Sequence, residues 1–259
     1  MNYYYRLKIA YRGTGFEGWQ KQGHTERTLQ AYLEKQIQDL FKIKACKTIA
    51  SGRTDSGVHA IGQIVKLELP LQLSKDSFLQ GLNKKLMPIM KIIEVENVTD
   101  EFHPVYQAKA KEYRYYFSTA KSDPQNWDQF TSIDSWKEKW SLEEMQKICK
   151  MFIGEHDFVH LRCLGTPTST TVRKIYDCSV DEVKLLKDGP VAVDPLYVFT
   201  VTGSGFLKQM VRMMVGSCWD VLKGGRDLKQ LQNSLNGIAP DQAWSVAPPS
   251  GLYLYRVDY

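Results

Sequence analysis

The chain has 259 residues, of which 43% are apolar and 24% charged, an ordinary globular balance that argues against an intrinsically disordered chain, a collagen-like repeat and a coiled coil. No apolar run approaches the roughly 20 residues of a membrane span, and residues 1–12 lack the apolar core and cleavage site of a secretion signal, so the expectation is a cytoplasmic protein. The net charge is +5, and all of it falls in residues 1–60, which hold ten basic and five acidic groups, whereas residues 61–259 hold 24 of each. A local basic surface suits a polyanion such as nucleic acid, and equally a solvated face.

In chain order, Tyr3, Tyr5, Leu7, Ile9 and Tyr11 alternate with Tyr4, Arg6, Lys8 and Ala10, the period of a strand with one buried face. Leu29, Leu33, Ile37, Leu40 and Phe41 recur at helical spacing and predict a helix over 28–41. Strands are expected over 47–52, 63–69 (stopping at Pro70) and 91–95, with a short helix over 75–86. A long strand is read over 106–118, and residues 119–140, polar with three isolated tryptophans, read as a linker. Ser141 and Glu144 form a capping box that opens a helix to about Phe152. Residues 171–186 and 191–202 look like a hairpin around Asp188-Gly189. Phe206, Met210, Met214 and Cys218 are four apart and predict a helix over 206–222, followed by a helix over 227–235 and a last strand over 252–257. Frequent hairpins interleaved with helices argue for an α+β fold with a largely antiparallel sheet. Gly13-Thr14-Gly15-Phe16 and Gly203-Ser204-Gly205-Phe206 each follow a strand, a faint echo of two similar halves. The expected divisions are 1–118, a linker or insertion at 119–140, and 141–259.

Two signals are negative. The five cysteines and five histidines are scattered without CxxC, HExxH or any zinc spacing, so reduced thiols and no metal are expected. Gly13, Gly15 and Gly18 spell the dinucleotide-binding pattern, but helical periodicity starts about ten residues too late for pyrophosphate to sit on a helix N-terminus.

The densest polar cluster is Ser51-Gly52-Arg53-Thr54-Asp55-Ser56-Gly57-Val58-His59, between two predicted strands. Flanking glycines allow a tight turn that holds Arg53 and Asp55 on one loop, and the arginine would favour the ionised carboxylate. A carboxylate so held can act as nucleophile or general base; a surface Asx-turn with an ion pair has the same spacing. Lys111, Tyr113 and Tyr115 form a second cluster, whose tyrosines suit core packing or base stacking. Arg212 stands beside an apolar helical stripe; it either snorkels to the surface or pairs with an anion such as Asp55.

Gly52-Arg53-Thr54-Asp55-Ser56-Gly57-Val58-His59-Ala60 closely resembles the signature of the tRNA pseudouridine synthase A family. The resemblance runs in order along nearly the whole chain. It takes in Tyr11-x-Gly13-x-x-Phe16-x-Gly18-Trp19-Gln20, Thr28-Leu29-Gln30, Gly81-Leu82-Asn83 with Leu86, Phe102-His103, Ala108 and Lys111-x-Tyr113-x-Tyr115. It continues through Gly154-x-His156-Asp157-Phe158, Gly205-Phe206-Leu207, Met210-Val211-Arg212 and Gly251-Leu252-Tyr253-Leu254. Departures are Ser56 where alanine is commonest, Leu86-Met87-Pro88-Ile89-Met90 for a usual Leu-Pro-x-Asp-Ile, and Val105 where many relatives carry arginine.

The resemblance implies an isomerase that converts uridine to pseudouridine in tRNA, in the anticodon stem-loop at roughly positions 38 to 40, with no metal and no cofactor. It implies two similar halves sharing a continuous, mainly antiparallel sheet flanked by helices, with a central basic cleft, and a homodimer that accepts one tRNA across both subunits. By position, Asp55 corresponds to the catalytic aspartate, which attacks the sugar or the base or removes a sugar proton. Tyr113 corresponds to the tyrosine stacked on the target base, Arg212 to the basic partner of the aspartate, and Arg53 to the arginine that holds the flipped-out nucleotide. Arg6, Lys8 and Arg12, on or just after the first strand, are then expected to line part of the RNA cleft.

Overall fold

A computed structural model describes residues 2–120, 130–133, 140–165, 167–183 and 195–259. The chain is α+β and forms two compact units, residues 1–109 with 253–259, and residues 110–252.

The first unit is built on three antiparallel strands: β1 (Tyr3–Tyr11) lies between β3 (His59–Leu69) and β4 (Met90–Val98), pairing Leu7 with Val65 on one side and with Val95 on the other. The alternation read in β1 is realised, since Tyr5, Leu7, Ile9 and Tyr11 are buried while Arg6 and Lys8 are partly exposed. β2 (Lys47–Ala50) adds antiparallel to β3, and β10 (Leu252–Asp258) runs parallel to β3 through Tyr253 and Leu254. Helix α1 (Leu29–Phe41) begins where Thr28 caps it, its hydroxyl accepting from the Ala31 amide, and ends at Lys42 in the left-handed region; Leu29, Leu33 and Ile37 are its buried stripe. The helix expected over 75–86 is a π-helical turn, Ser77–Leu82, leading into α2 (Asn83–Leu86).

The second unit is a meander of β5 (Ala110–Ser118), β9 (Leu196–Gly203), β8 (Val172–Val183) and β7 (Gly154–Asp157), antiparallel throughout. Short β6 (Thr131–Ser132) pairs parallel with the end of β5, and Phe130 and Ile133 are buried, so part of the segment read as a polar linker is core. Trp127, Trp136 and the Asp188-Gly189 turn lie outside the described residues. Helix α3 (Leu142–Met151) is capped by the Ser141 hydroxyl, α5 (Leu228–Leu235) by a full Asp227–Gln230 capping box, and between them α4 (Met210–Leu222) is buried along most of its length. Its start corrects the helix read from Phe206, because Gln209 has φ 60° and cannot sit inside a right-handed helix. β5 likewise starts at Ala110, while Tyr106 stands in a turn, 84% exposed and stacked on His103. The glycine echo coincides with a repeated step: in each unit a strand (β1, β9) is followed by Gly-x-Gly-Phe and then by a 13-residue helix (α1, α4).

No helix among the described residues is long and apolar enough to cross a membrane, and no group of three or more His, Cys, Asp or Glu among them is placed to hold a metal ion. Three cysteines distant in sequence, Cys149 on α3, Cys178 on β8 and Cys218 on α4, are buried and interact side chain to side chain in the second unit. Burial pushes the Cys178 and Cys218 thiols well up, away from thiolate.

Candidate active site

Asp55 sits in the first unit on the loop between β2 and β3, and five residues of the opening motif, Tyr11, Gly13, Phe16, Gly18 and Trp19, lie against that loop. The Trp19 amide donates to the Thr54 carbonyl at 3.0 Å, and the Tyr11 hydroxyl bonds the Thr54 hydroxyl at 2.9 Å. The Phe16 carbonyl accepts from the Gly57 amide at 3.2 Å and from the Ser56 hydroxyl at 3.0 Å. Gln63, fully buried on β3, donates to the Gly52 carbonyl at 2.8 Å and accepts from the Ser51 hydroxyl at 2.7 Å. The Val58 amide closes the turn on the Asp55 carbonyl at 3.1 Å. Thr54 is buried, Asp55 half-buried and Arg53 exposed, so the loop presents its charged residues from a fixed base.

The glycines of the dinucleotide-like pattern serve this loop. A Cβ on Gly13 would run into the Val58 carbonyl, and one on Gly18 would come within 2.8 Å of the Thr54 carbonyl, with φ already at +93°. Gly13 also donates its amide to His59 Nδ1 at 3.2 Å, while the His59 ring stacks on Tyr253 at 4.7 Å. That bond makes Nδ1 the acceptor and assigns the ring proton to Nε2. The Gln30 side-chain carbonyl accepts from the Lys21 amide and from Gln20, which ties the loop after Gly18 to the first turn of α1.

Tyr113 and Arg212 belong to the second unit. Tyr113 is buried on β5, opposite Val201 of β9, with its ring edge-on to Phe206 at 5.1 Å and 78°. Arg212 is half-buried on α4, its Nε donating to the Ala247 carbonyl at 2.7 Å while the Ala247 amide returns a bond to the Arg212 carbonyl at 3.1 Å. The segment that supplies Ala247 lies against α4 because Gly216 has no side chain; a Cβ there would collide with the Ser245 carbonyl. Asp220 holds the same segment by accepting from the Ser245 amide and hydroxyl, at 2.9 and 2.7 Å. One of the five guanidinium donors of Arg212 is thus fixed by the backbone, which sets the plane of the group. Lys111, two residues before Tyr113, is pushed down to about 8 by burial and by the neighbouring Arg173.

Of the basic residues expected at a cleft, Arg6 pairs with Glu96 at 2.7 Å and Lys8 with Glu94 at 2.9 Å, both across the β1–β4 ladder. Arg12 is exposed, and its amide donates to the Ile89 carbonyl at 2.9 Å. His156 and Asp157 of the later motif lie on β7: the His156 ring meets the Ile153 carbonyl, and Asp157 accepts from the Val159 amide.

The first unit thus presents Asp55 on a braced loop, and the second presents Tyr113 on a strand and Arg212, its guanidinium held by the Ala247 carbonyl, on a helix. The model of a family described as tRNA pseudouridine synthase matches residues 8–107 and 148–259. Proteins named tRNA pseudouridine synthase A match nearly end to end. One from Oceanobacillus iheyensis is 36% identical over 98% of this chain and 96% of its own length, one from Geobacillus 34% over 98% and 97%, and one from Listeria monocytogenes 34% over 98% of each. The chain belongs to the tRNA pseudouridine synthase family, isomerases that convert uridine to pseudouridine in tRNA.

Proposed function

We propose that Asp55 is the catalytic carboxylate and that the enzyme isomerises uridines of the anticodon stem-loop, at roughly positions 38 to 40. In the overall reaction the C1′–N1 bond breaks, a C1′–C5 bond forms, C5 loses its proton and N1 gains one. No electrons are exchanged, so a fixed carboxylate that attacks the nucleotide or moves a sugar proton is enough to start it. The target must leave the stack to present C1′; Arg53, exposed on the same loop as Asp55, holds the flipped-out nucleotide in this reading. Tyr113 offers a ring held at a fixed angle by Phe206 for the flipped base. Arg212, its plane set by Ala247, stabilises the carboxylate in its charged form.

The observation that carries this reading is the bracing of the Asp55 loop. Four residues of the opening motif (Tyr11, Gly13, Phe16 and Trp19), with Gln63 of β3, hold the backbone and the Thr54 and His59 side chains of the loop from Gly52 to His59, while Asp55 is left partly accessible. A surface Asx-turn would need none of them. The cytoplasm as workplace and a homodimer spanned by one tRNA rest on the family resemblance alone.

Asp55→Asn keeps the size of the side chain and removes the charge. It should lower pseudouridine formation by at least about a thousandfold while tRNA binding and thermal unfolding stay near wild type. Turnover within tenfold of wild type would remove Asp55 from the reaction.

A further inference from the structure

The second unit contains a recess of about 200 Å³ that adjoins the later motif through Phe206 and Leu207 but whose charged walls lie outside the residues assigned a role above. Its walls are two loops. One follows β7 and carries Arg162, Cys163, Pro167 and Thr168; the other follows β9 and carries Phe206, Leu207 and Lys208; Arg173 of β8 stands between them. The Cys163 amide donates to the Lys208 carbonyl at 2.9 Å and the Ser204 amide to the Lys174 carbonyl at 2.9 Å, so both loops are tied by backbone bonds.

Among the described residues, three cations line this recess and no carboxylate does. Arg173 is half-buried and spends its donors on neutral oxygens, the Thr170 and Val172 carbonyls and the Thr168 hydroxyl. Burial and the adjacent Arg162 both weaken its hold on its proton. The Nε of Arg162 is buried with no hydrogen-bond partner among the described residues. A buried guanidinium donor without an acceptor, next to a second guanidinium, costs the free protein stability. An anion that accepts from Arg162 and sits between like charges offsets both costs, and guanidinium forks match phosphate oxygens bidentately.

The recess also has a fixed relation to Tyr113, since Phe206 lines it and meets the Tyr113 ring edge-on at 5.1 Å. We infer that Arg162, Arg173 and Lys208 form a phosphate site that grips the backbone of the substrate tRNA beside the nucleotide at Tyr113. The inference rests on the reading of Tyr113 given above and adds a binding subsite to it. A site of this kind positions the strand without reading its sequence, because phosphates are the same at every step.

The test uses the full-length enzyme and unmodified tRNA, with pseudouridine formation and equilibrium tRNA binding measured over a range of KCl concentrations. Lys208 is exposed, so Lys208→Gln leaves the fold intact. Lys208→Gln and Arg162→Gln should each raise KM about tenfold with kcat within twofold, and reduce the slope of log affinity against log salt by about 0.7 to 0.9. Arg162→Gln should leave the melting temperature of the free protein unchanged or raise it, which a merely structural arginine would not do. Inorganic phosphate should inhibit the wild type competitively with tRNA and lose that effect in both variants. Variants that keep wild-type KM and salt slope overturn the site. So does phosphate binding that the variants abolish without any change in KM, which would make the recess a pocket for free phosphate. A wild type that binds tRNA but forms no pseudouridine would instead bring down the reading of Tyr113 and Asp55.

Discussion

The two units treat positive charge in opposite ways. The first holds the chain's whole surplus by count, yet Arg6, Lys8, Lys21 and Arg27 are each matched with a glutamate, two of them across the β1–β4 ladder. The second is neutral by count, yet it gathers Arg162, Arg173 and Lys208 around one recess with no acid among its described walls and keeps Lys111 half-buried within reach of Arg173. Net charge along a sequence therefore says little about where a polyanion docks. Strand pairing brings distant acids onto the basic face of β1, whereas loops after β7 and β9 bring together cations that no spacing relates. The units also differ in what their glycines do. In the first they let two loops touch and fix a carboxylate; in the second Gly216 lets a helix lie against the strand of chain that fixes an arginine.

The sharpest way to break that second contrast is to fill the glycines. Gly13→Ala would drive a methyl group into the Val58 carbonyl, and Gly216→Ala one into the Ser245 carbonyl; neither neighbour is a flexible side-chain end. Each should cost about 3 kcal/mol of unfolding free energy, measured by urea denaturation. The catalytic consequences should separate them. Gly13→Ala moves the Asp55 loop and should reduce kcat by more than a hundredfold, whereas Gly216→Ala frees Ala247 from Arg212 and should reduce it about tenfold. Equal losses would mean that both glycines act only through global stability.

A smaller effect measures what the second unit's buried charge costs. Lys111 titrates near 8 when folded, below the ordinary lysine value, because burial and Arg173 disfavour its charged form. The unfolded chain therefore binds more protons than the folded one between about pH 8 and 10.4. The penalty is fully present below pH 8 and is relieved as the pH rises through that window. Lys111→Met removes the titrating group, so its melting temperature relative to wild type should fall from pH 7 to pH 10. A difference that stays flat with pH would show that the ammonium is better solvated than its burial implies.

The sequence was most legible where one period ran without interruption. β1, α1, α3 and β10 lie within a residue or two of their predicted spans because alternation or a helical stripe meets a cap or a turn at each end. It misled where a stripe outran its element. Phe206 continues the four-residue spacing of α4 but lies before the left-handed Gln209, and its ring goes to Tyr113 instead of extending the helix. Tyr106 likewise continues the strand pattern of β5 yet stands in a turn. Of the site, the motif loop around Asp55 was readable as a string, but its bracing by Gln63 and the opening glycines was not, since these meet only when β1 and β3 pair. β7 and the triplet of buried cysteines were invisible for the same reason: their partners are far along the chain.

The finest distinction between the units can be read with a thiol reagent. Cys163 is half-buried and lines the recess of the second unit. Cys46 is equally accessible in the first unit, but burial and Glu34 push its thiol up to about 11, which leaves little thiolate at pH 8. Cys149, Cys178 and Cys218 are buried. At pH 8 the native protein should therefore release one equivalent of chromophore quickly from Cys163, a second slowly from Cys46, and the remainder only on unfolding. Substitution Cys163→Ser identifies the fast phase. Saturating tRNA should slow that phase several-fold while the Cys46 phase keeps its rate, because a phosphate seated between Arg162 and Lys208 covers the recess that Cys163 lines. If tRNA slows both phases equally, the protection is general shielding by a bound polyanion, and the charge gathered in the second unit has no special claim on the backbone.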